Sequence, residues 1–144
     1  MNDEGQPLIR PATAQDSDAV FELARLMAIS FDVSRHAFAL SYKAILESSN
    51  AYLLVAEVSG QVIGYLLGFD HPSFFANGSV AWVEELAVVP KRRRSKVGSH
   101  LMADFEDRVR QRGSQLVALA TTRASSFYEA IGYKHRADYF RKVL

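Results

Sequence analysis

The chain has 144 residues, of which 49% are hydrophobic and 23% are charged, and it contains no cysteine. This composition is typical of a globular protein and excludes the disordered, fibrous and membrane-embedded classes. A chain of this length buries roughly 68% of its unfolded surface, so it can form a core without disulfides. The lack of cysteine also excludes a thiolate zinc site. We therefore predict one domain over residues 1–144, with residues 1–7 as a flexible tail.

The polar, acidic N-terminus has no apolar stretch behind it, and no run approaches the roughly 20 apolar residues of a membrane span. We expect no secretory signal, no membrane partner and a cytoplasmic location. The 17 basic and 16 acidic residues give a net charge of +1, which argues against a basic nucleic-acid-binding face. Five of the six residues 91–96 are nevertheless basic, so this segment requires its own explanation.

The N-terminal half predicts two helices that precede a β-hairpin. Thr13 and Asp16 match a capping box, and an apolar face at helical spacing follows. Two runs rich in Val, Leu, Ile and Tyr flank a turn that contains Gly60. The predicted elements are a strand over 8–10, helices over 14–29 and 35–48, strands over 51–58 and 62–69, and a loop over 70–79.

The C-terminal half predicts a parallel pair of strands joined by a helix. The predicted elements are a strand over 80–89, a helix over 97–112, a strand over 116–121, a short helix over 125–131, and strands over 133–136 and 139–143. The uninterrupted apolar run at 116–120 predicts a strand buried on both faces. The pattern indicates an α+β fold with a mixed sheet of about six or seven strands and a right-handed crossover.

The segment 88–99 combines a strand end, Pro90, the basic cluster and Gly98 immediately before a helix. Helix N-termini attract anions because their first N–H groups lack intrahelical acceptors. A solvated basic loop is the alternative, but this order of features favours a phosphate site. Neither the dinucleotide-binding glycine motif nor the Walker motif occurs, so the dehydrogenase and nucleoside-triphosphatase interpretations lose their main signatures.

This segment resembles the pyrophosphate loop of the GNAT superfamily of acyl-CoA-dependent N-acetyltransferases, Arg/Gln-x-x-Gly-x-Gly/Ala, with Arg93 first, Gly98 last and Lys96 at the first glycine position. The resemblance extends from about Leu8 to the C-terminus. It implies a three-layer fold with a splayed parallel strand pair, acetyl-CoA as co-substrate, and no metal. The cofactor-binding residues that it implies are Leu86, Ala87, Val88, Arg93, Arg94, Ser95, Lys96, Val97, Gly98, Ser99, Thr121 and Ser125.

The strand 80–89 carries adjacent carboxylates, Glu84 and Glu85, and resembles the family's fourth strand. Neighbouring strand residues point to opposite faces, so only one carboxylate is expected to reach a given cleft. An acceptor amine is mostly protonated at neutral pH and must lose a proton before it attacks. We predict Glu84 as the catalytic base, on the face of Leu86 and Val88, with Glu85 in reserve. The alternative places both carboxylates in surface or dimer ion pairs.

Residues 121–133 resemble a second family motif, Asn-x-x-Ala-x-x-x-Tyr-x-x-x-Gly-Phe, with Thr121 in place of the asparagine. Tyr128 stands at the tyrosine position. A phenol can donate a proton to a departing thiolate, so the resemblance implies that Tyr128 is the catalytic acid. The alternative for a tyrosine is a packed ring with a satisfied hydroxyl.

The resemblance implies direct attack of the amine on the thioester, with backbone N–H groups near Leu86 to Val88 at a strand bulge as oxyanion donors. A covalent acetyl-enzyme is disfavoured because no cysteine is present. The four histidines are scattered, without metal-ligand spacing or a nucleophile elbow. They are His36, His71, His100 and His135.

Aromatic residues of the first helices and the 70–79 loop could line an acceptor pocket or a dimer contact. Helical spacing favours core packing for Phe38 and Tyr42, whereas Phe31, Phe74 and Phe75 leave pocket and partner contact open. The resemblance implies acetyl transfer to a primary amine of a small molecule by a homodimer. A protein or peptide N-acetyltransferase and a catalytically silent coenzyme A-binding regulatory module remain alternatives.

Overall fold

The computed structural model describes residues 6–93 and 95–144. Residues 1–5 of the predicted tail and Arg94 of the predicted cofactor loop lie outside the described residues. The elements are β1 (Leu8–Pro11), α1 (Ser17–Met27), α2 (Arg35–Glu47), β2 (Ala51–Val58), β3 (Gln61–Ser73), β4 (Gly78–Val88), α3 (Val97–Gln111), β5 (Ser114–Leu119) and α4 (Ser125–Ala130).

Within the described residues, the strands form a five-stranded sheet in the order β1-β2-β3-β4-β5. Neighbouring strands are antiparallel except β4 and β5, which are parallel and are joined through α3. A hairpin cannot join parallel strands, so the chain crosses over through a helix. The mixed sheet with flanking helices confirms the predicted α+β class, although it has five strands rather than six or seven.

The sheet separates two apolar clusters. On one face, α3 buries Leu101, Met102 and Phe105 against residues of β2, β3 and β4. On the other face, α1 and α2 bury Val20 and Tyr42 against a separate set of strand side chains. Helices therefore cover both sides of the sheet and form the expected three layers.

The first helix begins later than its sequence pattern predicts. Residues Ala14–Asp16 form a 3₁₀ turn, and α1 begins at Ser17. The Asp16 carboxylate accepts hydrogen bonds from the Thr13 backbone N–H at 2.8 Å and from the Arg10 guanidinium at 2.8 and 2.9 Å. The predicted capping box is present, and the Arg10 guanidinium lowers the pKa of Asp16 below its usual value.

The predicted loop over 70–79 is wrong for most of its length. Residues 70–73 extend β3 and pair with residues 78–81 of β4, which leaves a turn of only four residues. Pro72 is tolerated because β2 begins at Ala51, opposite Phe69, so β3 has no β2 neighbour at Pro72. Asp70 is buried there, but its carboxylate accepts the Tyr52 hydroxyl at 2.6 Å.

The C-terminal predictions need two corrections. Residues 133–136 and 139–143 are not strands, and the segment after α4 is an irregular, mostly exposed chain. β5 is partly exposed rather than buried on both faces, and β4 is its one strand partner among the described residues. Its apolar composition had suggested a central strand.

The aromatic residues of the first helices divide as their spacing predicted. Tyr42 is buried and Phe38 packs beside it, with ring centroids 5.4 Å apart. Phe31, Phe74 and Phe75 are exposed, which keeps partner contact or a pocket open for them. Leu46 of α2 is also exposed.

Candidate active site

A cleft opens where β4 and β5 separate. Their pairing ends at Val83 and Leu119, and residues 84–88 of β4 have no partner in β5. The backbone N–H and C=O groups of residues 84–88 that face β5 therefore have no hydrogen-bond partner in that strand. The parallel pair diverges towards the start of α3, as expected for the splayed pair.

The predicted cofactor loop leads from this cleft into α3 through a short 3₁₀ turn, Pro90–Arg92. Arg93 folds back on the strand, with Nε donating to the Val88 carbonyl at 3.3 Å, and Ser95 Oγ donates to the Arg92 carbonyl at 2.6 Å. Lys96 precedes the helix with φ +66°, in the left-handed region. Glycine adopts this conformation without strain, so Lys96 carries the strain that the family's glycine avoids.

Gly98 lies in the first turn of α3, at a tight contact between helices. A Cβ atom at this position would lie 3.2 Å from Phe127 Cζ and 3.8 Å from Leu86 Cδ2. The first separation is tight, so a side chain at 98 would have to shift the Phe127 ring by a few tenths of an ångström, whereas the second is an ordinary van der Waals contact. The glycine therefore allows α4 to approach the start of α3, a packing role that the motif alone did not reveal. Ser99 follows in the same turn, partly buried, and Val97 is fully buried in the core.

The two glutamates occupy a β-bulge of β4. Gly68 pairs with Val83 and Leu67 pairs with Glu85, so Glu84 is an extra residue without a partner in β3. The predicted alternation of faces is interrupted at this point. The bulge lies at Glu84, before the predicted position at Leu86 to Val88.

The bulge corrects the expected placement of Glu84. Leu86 and Val88 pack in the cluster beneath α3. Glu84 instead accepts a hydrogen bond from Trp82 Nε1 at 3.0 Å, and Trp82 lies opposite Phe69, which packs in the cluster on the side of α1 and α2. The expectation that Glu84 shares a face with Leu86 and Val88 is wrong.

Glu85 also points to the side of α1 and α2. Its Oε1 accepts the Tyr65 hydroxyl at 2.6 Å, and Tyr65 is almost fully buried there. Burial raises the pKa of Tyr65 far above its usual value, and the adjacent Glu85 charge adds to this shift, so the phenol stays a hydrogen-bond donor. Both carboxylates therefore lie on one side of β4.

The carboxylates differ in exposure and in partners. Glu84 is exposed, whereas Glu85 is partly buried. Neither carboxylate takes part in any of the ion pairs found within the described residues, 6–93 and 95–144. The ion-pair alternative thus has no support within the described part of one chain.

Tyr128 lies on α4 in an aromatic cluster. Its ring centroid is 4.9 Å from that of Phe127 and 5.9 Å from that of Tyr133. Burial raises the pKa of Tyr128, so its hydroxyl is protonated at neutral pH. Because the Phe127 ring lies directly beside Gly98, the cluster is adjacent to the first turn of α3.

Thr121 stands in the turn before α4. Its Oγ1 accepts the Ala124 backbone N–H at 3.0 Å, so this side chain fixes the turn that orients the helix. Ser125 is the first residue of α4. The asparagine position of the family motif thus holds a residue with a local structural role.

A broad groove of about 1450 Å³ runs beside β5. It is bounded by β5, by α4 and by the C-terminal segment, and Trp82, Thr121, Ser125 and Tyr128 line it together with basic side chains of that segment. The basic residues of the segment that line the groove are Lys134, His135, Arg136 and Arg141.

Two residues that hold the carboxylates, Trp82 and Tyr65, were not predicted from the sequence. Trp82 could have been found, because it lies two residues before Glu84 and strand alternation puts such residues on one side. Tyr65 could not, because its contact with Glu85 depends on the register between β3 and β4.

Two negative observations apply to residues 6–93 and 95–144. Within them, no group of three His, Asp or Glu side chains could hold a metal ion. Within the same part of the chain, no helix has the length and hydropathy to span a membrane.

The family model for the GNAT acetyltransferase family matches residues 18–133. The aminoalkylphosphonate N-acetyltransferase of Salmonella typhimurium is 32% identical, over 94% of this chain and 90% of that protein. The chain therefore belongs to the GNAT acetyltransferase family. It is an acyltransferase of the N-acetyltransferase type.

Solved structures confirm the fold. A transcriptional regulator from Bacillus halodurans superposes with a TM-score of 0.86 at 23% identity, over 96% of this chain and all of that chain. The N-acetyltransferase AAC(6')-Iy, solved with a coenzyme A-containing bisubstrate analogue, has a TM-score of 0.80 at 18% identity, over 96% of this chain and 99% of that chain.

Proposed function

We propose that this protein transfers the acetyl group of acetyl-CoA to a primary amine of a small molecule. The observation that carries this proposal is the cleft between β4 and β5, which ends at the first turn of α3 and has two carboxylates on the adjacent bulge. The family membership supplies the reaction class, and the residues of the cleft supply groups suited to each part of it.

The residues at the start of α3 fit a coenzyme A pyrophosphate. Arg93 and Lys96 are exposed cations, and the first-turn amides of a helix attract anions. Gly98 keeps the space beside Phe127 clear of a side chain. The backbone N–H and C=O groups of Leu86, Ala87 and Val88 that face β5 provide hydrogen-bond donors and acceptors for the pantetheine arm. Bound acetyl-CoA supplies an activated acetyl thioester, which the amine attacks directly.

Glu84 is proposed to accept the proton of the acceptor amine. An alkylammonium has a pKa of about 10.4, so its proton must leave before the nitrogen can attack. Glu84 is exposed on the bulge, and the Trp82 indole orients its carboxylate. Glu85 is the reserve base, although Tyr65 already occupies one of its oxygens.

Tyr128 is proposed to donate the proton that the departing thiolate needs. Its hydroxyl is protonated at neutral pH because burial raises its pKa. The aromatic cluster of Phe127 and Tyr133 limits the motion of its ring. Backbone N–H groups of β4 beyond the bulge are the proposed oxyanion donors.

The acceptor we favour is a small amine that also carries an anionic group. The Salmonella relative is named for aminoalkylphosphonates, and basic side chains line the groove beside Trp82 and Tyr128. An aminoalkylphosphonate would place its amine towards Glu84 and its phosphonate towards those cations. No bound metal is required in this proposal.

The test combines calorimetric titration with acetyl-CoA and a thiol-release assay on aminoalkylphosphonates, polyamines, aminoglycosides, amino acids and peptides. We expect acetyl-CoA binding and turnover, with the highest kcat/KM for an aminoalkylphosphonate. Glu84→Gln should lower kcat by about 100-fold, with a smaller loss for the matched variant Glu85→Gln.

Three outcomes would redirect the proposal. Acetyl-CoA binding without turnover on any amine would favour the regulatory module. Turnover confined to peptides would favour the peptide N-acetyltransferase. A larger loss for Glu85→Gln than for Glu84→Gln would exchange the two carboxylate roles.

A further inference from the structure

The short helix α4 ends in a tight backbone turn that fixes Tyr133 relative to Tyr128. The Tyr133 backbone N–H donates to the Tyr128 carbonyl at 3.0 Å, and the Gly132 N–H donates to the Glu129 carbonyl at 3.1 Å. Gly132 has φ +102°, in the left-handed region that favours glycine. These features define a Schellman motif, which commonly brings the side chains before and after the turn into contact. The Tyr128 and Tyr133 rings accordingly pack edge to face, with centroids 5.9 Å apart.

The side chain of Tyr133 also connects this turn to α3. Its hydroxyl donates to Glu106 Oε2 at 2.6 Å, and both residues are partly buried. Burial raises the pKa of Tyr133 far above its usual value, and the hydrogen bond to Glu106 adds to this shift, so the phenol stays a donor at neutral pH. The motif that residues 121–133 resemble ends in phenylalanine, which has no hydroxyl. The hydrogen bond to α3 is therefore an addition that the tyrosine of this chain makes to the motif.

The position of α4 depends on such contacts because the helix has only six residues. Isolated helices shorter than about 12–15 residues are marginal in water, so α4 must be held by the rest of the fold. Near its start, the Phe127 ring lies directly beside Gly98 in the first turn of α3. After its end, Tyr133 binds Glu106, further along α3. Tyr128 lies between these two contacts in the chain, so both restrict its position relative to α3.

We infer that Tyr133 and Glu106 are positioning residues for acetyl transfer, and that their hydrogen bond holds the Tyr128 hydroxyl where it can reach the departing thiolate. The inference rests on the proposed role of Tyr128 as the proton donor. Proton transfer requires a short, well-directed contact between donor and acceptor, and a displacement of about 1 Å can lower the rate by about 100-fold. Tyr133 and Glu106 act through Tyr128 and do not themselves contact the reacting atoms.

The first experiment removes the hydroxyl of Tyr133 and keeps its ring. Tyr133→Phe should lower kcat by about tenfold, while the KM for the amine and the Kd for acetyl-CoA change little. If Tyr133 only stabilised the fold, the free energy of unfolding would fall and kcat would stay at the parent value.

The matched control is Tyr52→Phe. The Tyr52 hydroxyl also donates to a carboxylate at 2.6 Å, that of Asp70, and its ring packs against the same apolar cluster as Tyr133. Tyr52→Phe therefore removes an equivalent hydrogen bond at a place without contact to Tyr128. We expect it to leave kcat unchanged.

The second experiment asks whether Tyr133 acts through Tyr128. In the Tyr128→Phe background, the added change Tyr133→Phe should alter kcat by no more than about twofold, because the hydroxyl that it positions is already missing. Two independent effects would instead multiply, so the double variant would show the product of the single losses.

The third experiment uses conservative replacement of Glu106. Glu106→Gln keeps an oxygen that accepts the Tyr133 hydroxyl and should retain at least about half of the parent kcat, whereas Glu106→Ala removes the acceptor and should lower kcat by about tenfold. If Glu106→Ala fails to fold, Tyr133→Phe and the double variant still decide, because each removes only hydroxyl oxygens.

The inference is overturned if Tyr133→Phe keeps the parent kcat while Tyr128→Phe is slow, because the proposed acid then stands without its positioning residues. Multiplying losses in the double variant, or a loss in Tyr52→Phe equal to that in Tyr133→Phe, would also overturn it. A parent-level kcat in Tyr128→Phe would remove the proposed acid and this inference together.

Discussion

Lys96 shows how a single backbone conformation limits the choice of residue. Its φ of +66° costs an L-residue roughly 1–2 kcal/mol, whereas glycine adopts this conformation freely. The ammonium group of Lys96 can contact a phosphate. At this position the chain therefore has a positive charge, whereas the family motif has a glycine that adopts the conformation freely. The two contributions can be separated by a matched pair of variants.

Lys96→Gly and Lys96→Ala both remove the ammonium, but only glycine relieves the backbone strain. We expect the glycine variant to unfold at a higher urea concentration than the alanine variant, by about 1 kcal/mol in the free energy of unfolding. Equal stabilities would show that the left-handed conformation is not strained. If the ammonium contacts phosphate, both variants should bind acetyl-CoA more weakly than the parent.

Tyr128 permits a test of the proposed acid at a single atom. Tyr128→Phe keeps the packed ring and removes the hydroxyl, so kcat should fall by about 100-fold while the Kd for acetyl-CoA changes little. Equal kcat values for the variant and the parent would remove the assignment.

The pH dependence gives a separate test of Tyr128. Burial raises its pKa above 10.0, so the donor form predominates from pH 8 to pH 9. Deprotonation of Tyr128 should therefore cause no substantial fall of kcat in that interval. A basic limb near pH 8 that disappears in Tyr128→Phe would contradict the raised pKa.

At the level of elements, Gly68 sets the distance between α3 and the sheet. A Cβ atom there would lie 2.5 Å from the Phe105 ring, and Gly68 pairs with Val83 directly beside the bulge that carries Glu84. Sheet spacing and carboxylate placement therefore depend on one small residue.

We expect Gly68→Ala to destabilise the protein by roughly 1–3 kcal/mol, because the Phe105 ring must move within a packed core. Urea denaturation measures this loss. The double variant with Phe105→Leu should recover part of it, since the smaller side chain leaves room for the new methyl group. Strict additivity of the two single losses would show that Gly68 and Phe105 do not interact.

Most elements could be predicted from the sequence because their apolar spacing is local. The stripe of α3 and the alternation in β2 and β3 led to bounds close to those observed. The extension of β3 could not be predicted, since Pro72 and Asp70 are typical loop residues. They are accommodated because β2 ends its pairing at Phe69 and Tyr52 satisfies the buried carboxylate.

At the level of the whole molecule, burial raises the pKa values of five tyrosines, and these shifts make the stability of the fold depend on pH in the alkaline range. It raises the pKa of Tyr42 and Tyr52 to about 12, and those of Tyr65, Tyr128 and Tyr133 are also raised. In the unfolded chain these phenols lose their protons near pH 10, before they do so in the folded chain. The folded state is thus fully favoured below pH 10 and loses this advantage as pH rises further.

We expect the urea midpoint to fall steeply between pH 10 and 12, with phenolate absorbance rising together with unfolding. Tyr42→Phe should flatten the decline, because it removes one of the groups that titrate differently in the two states. A midpoint that stays constant up to pH 12 would show that these phenols are not protected.

The candidate site could be predicted in part. The order of strand, basic loop, Gly98 and helix led to the proposed cofactor segment, and the positions of Glu84 and Tyr128 within their motifs led to the proposed base and acid. The side of the sheet to which Glu84 points could not be predicted, because one unpaired residue at the bulge reverses the alternation that follows it.

The sequence by itself determined the class of the fold and the parallel crossover and predicted the cofactor segment, because each depends on residues close together in the chain. Only the tertiary structure decided that Glu84 and Glu85 share one side of β4, that Tyr65 and Trp82 hold them, and that β5 pairs with β4 alone among the described residues. These features depend on strand register and on contacts between residues distant in sequence, which local periodicity does not encode.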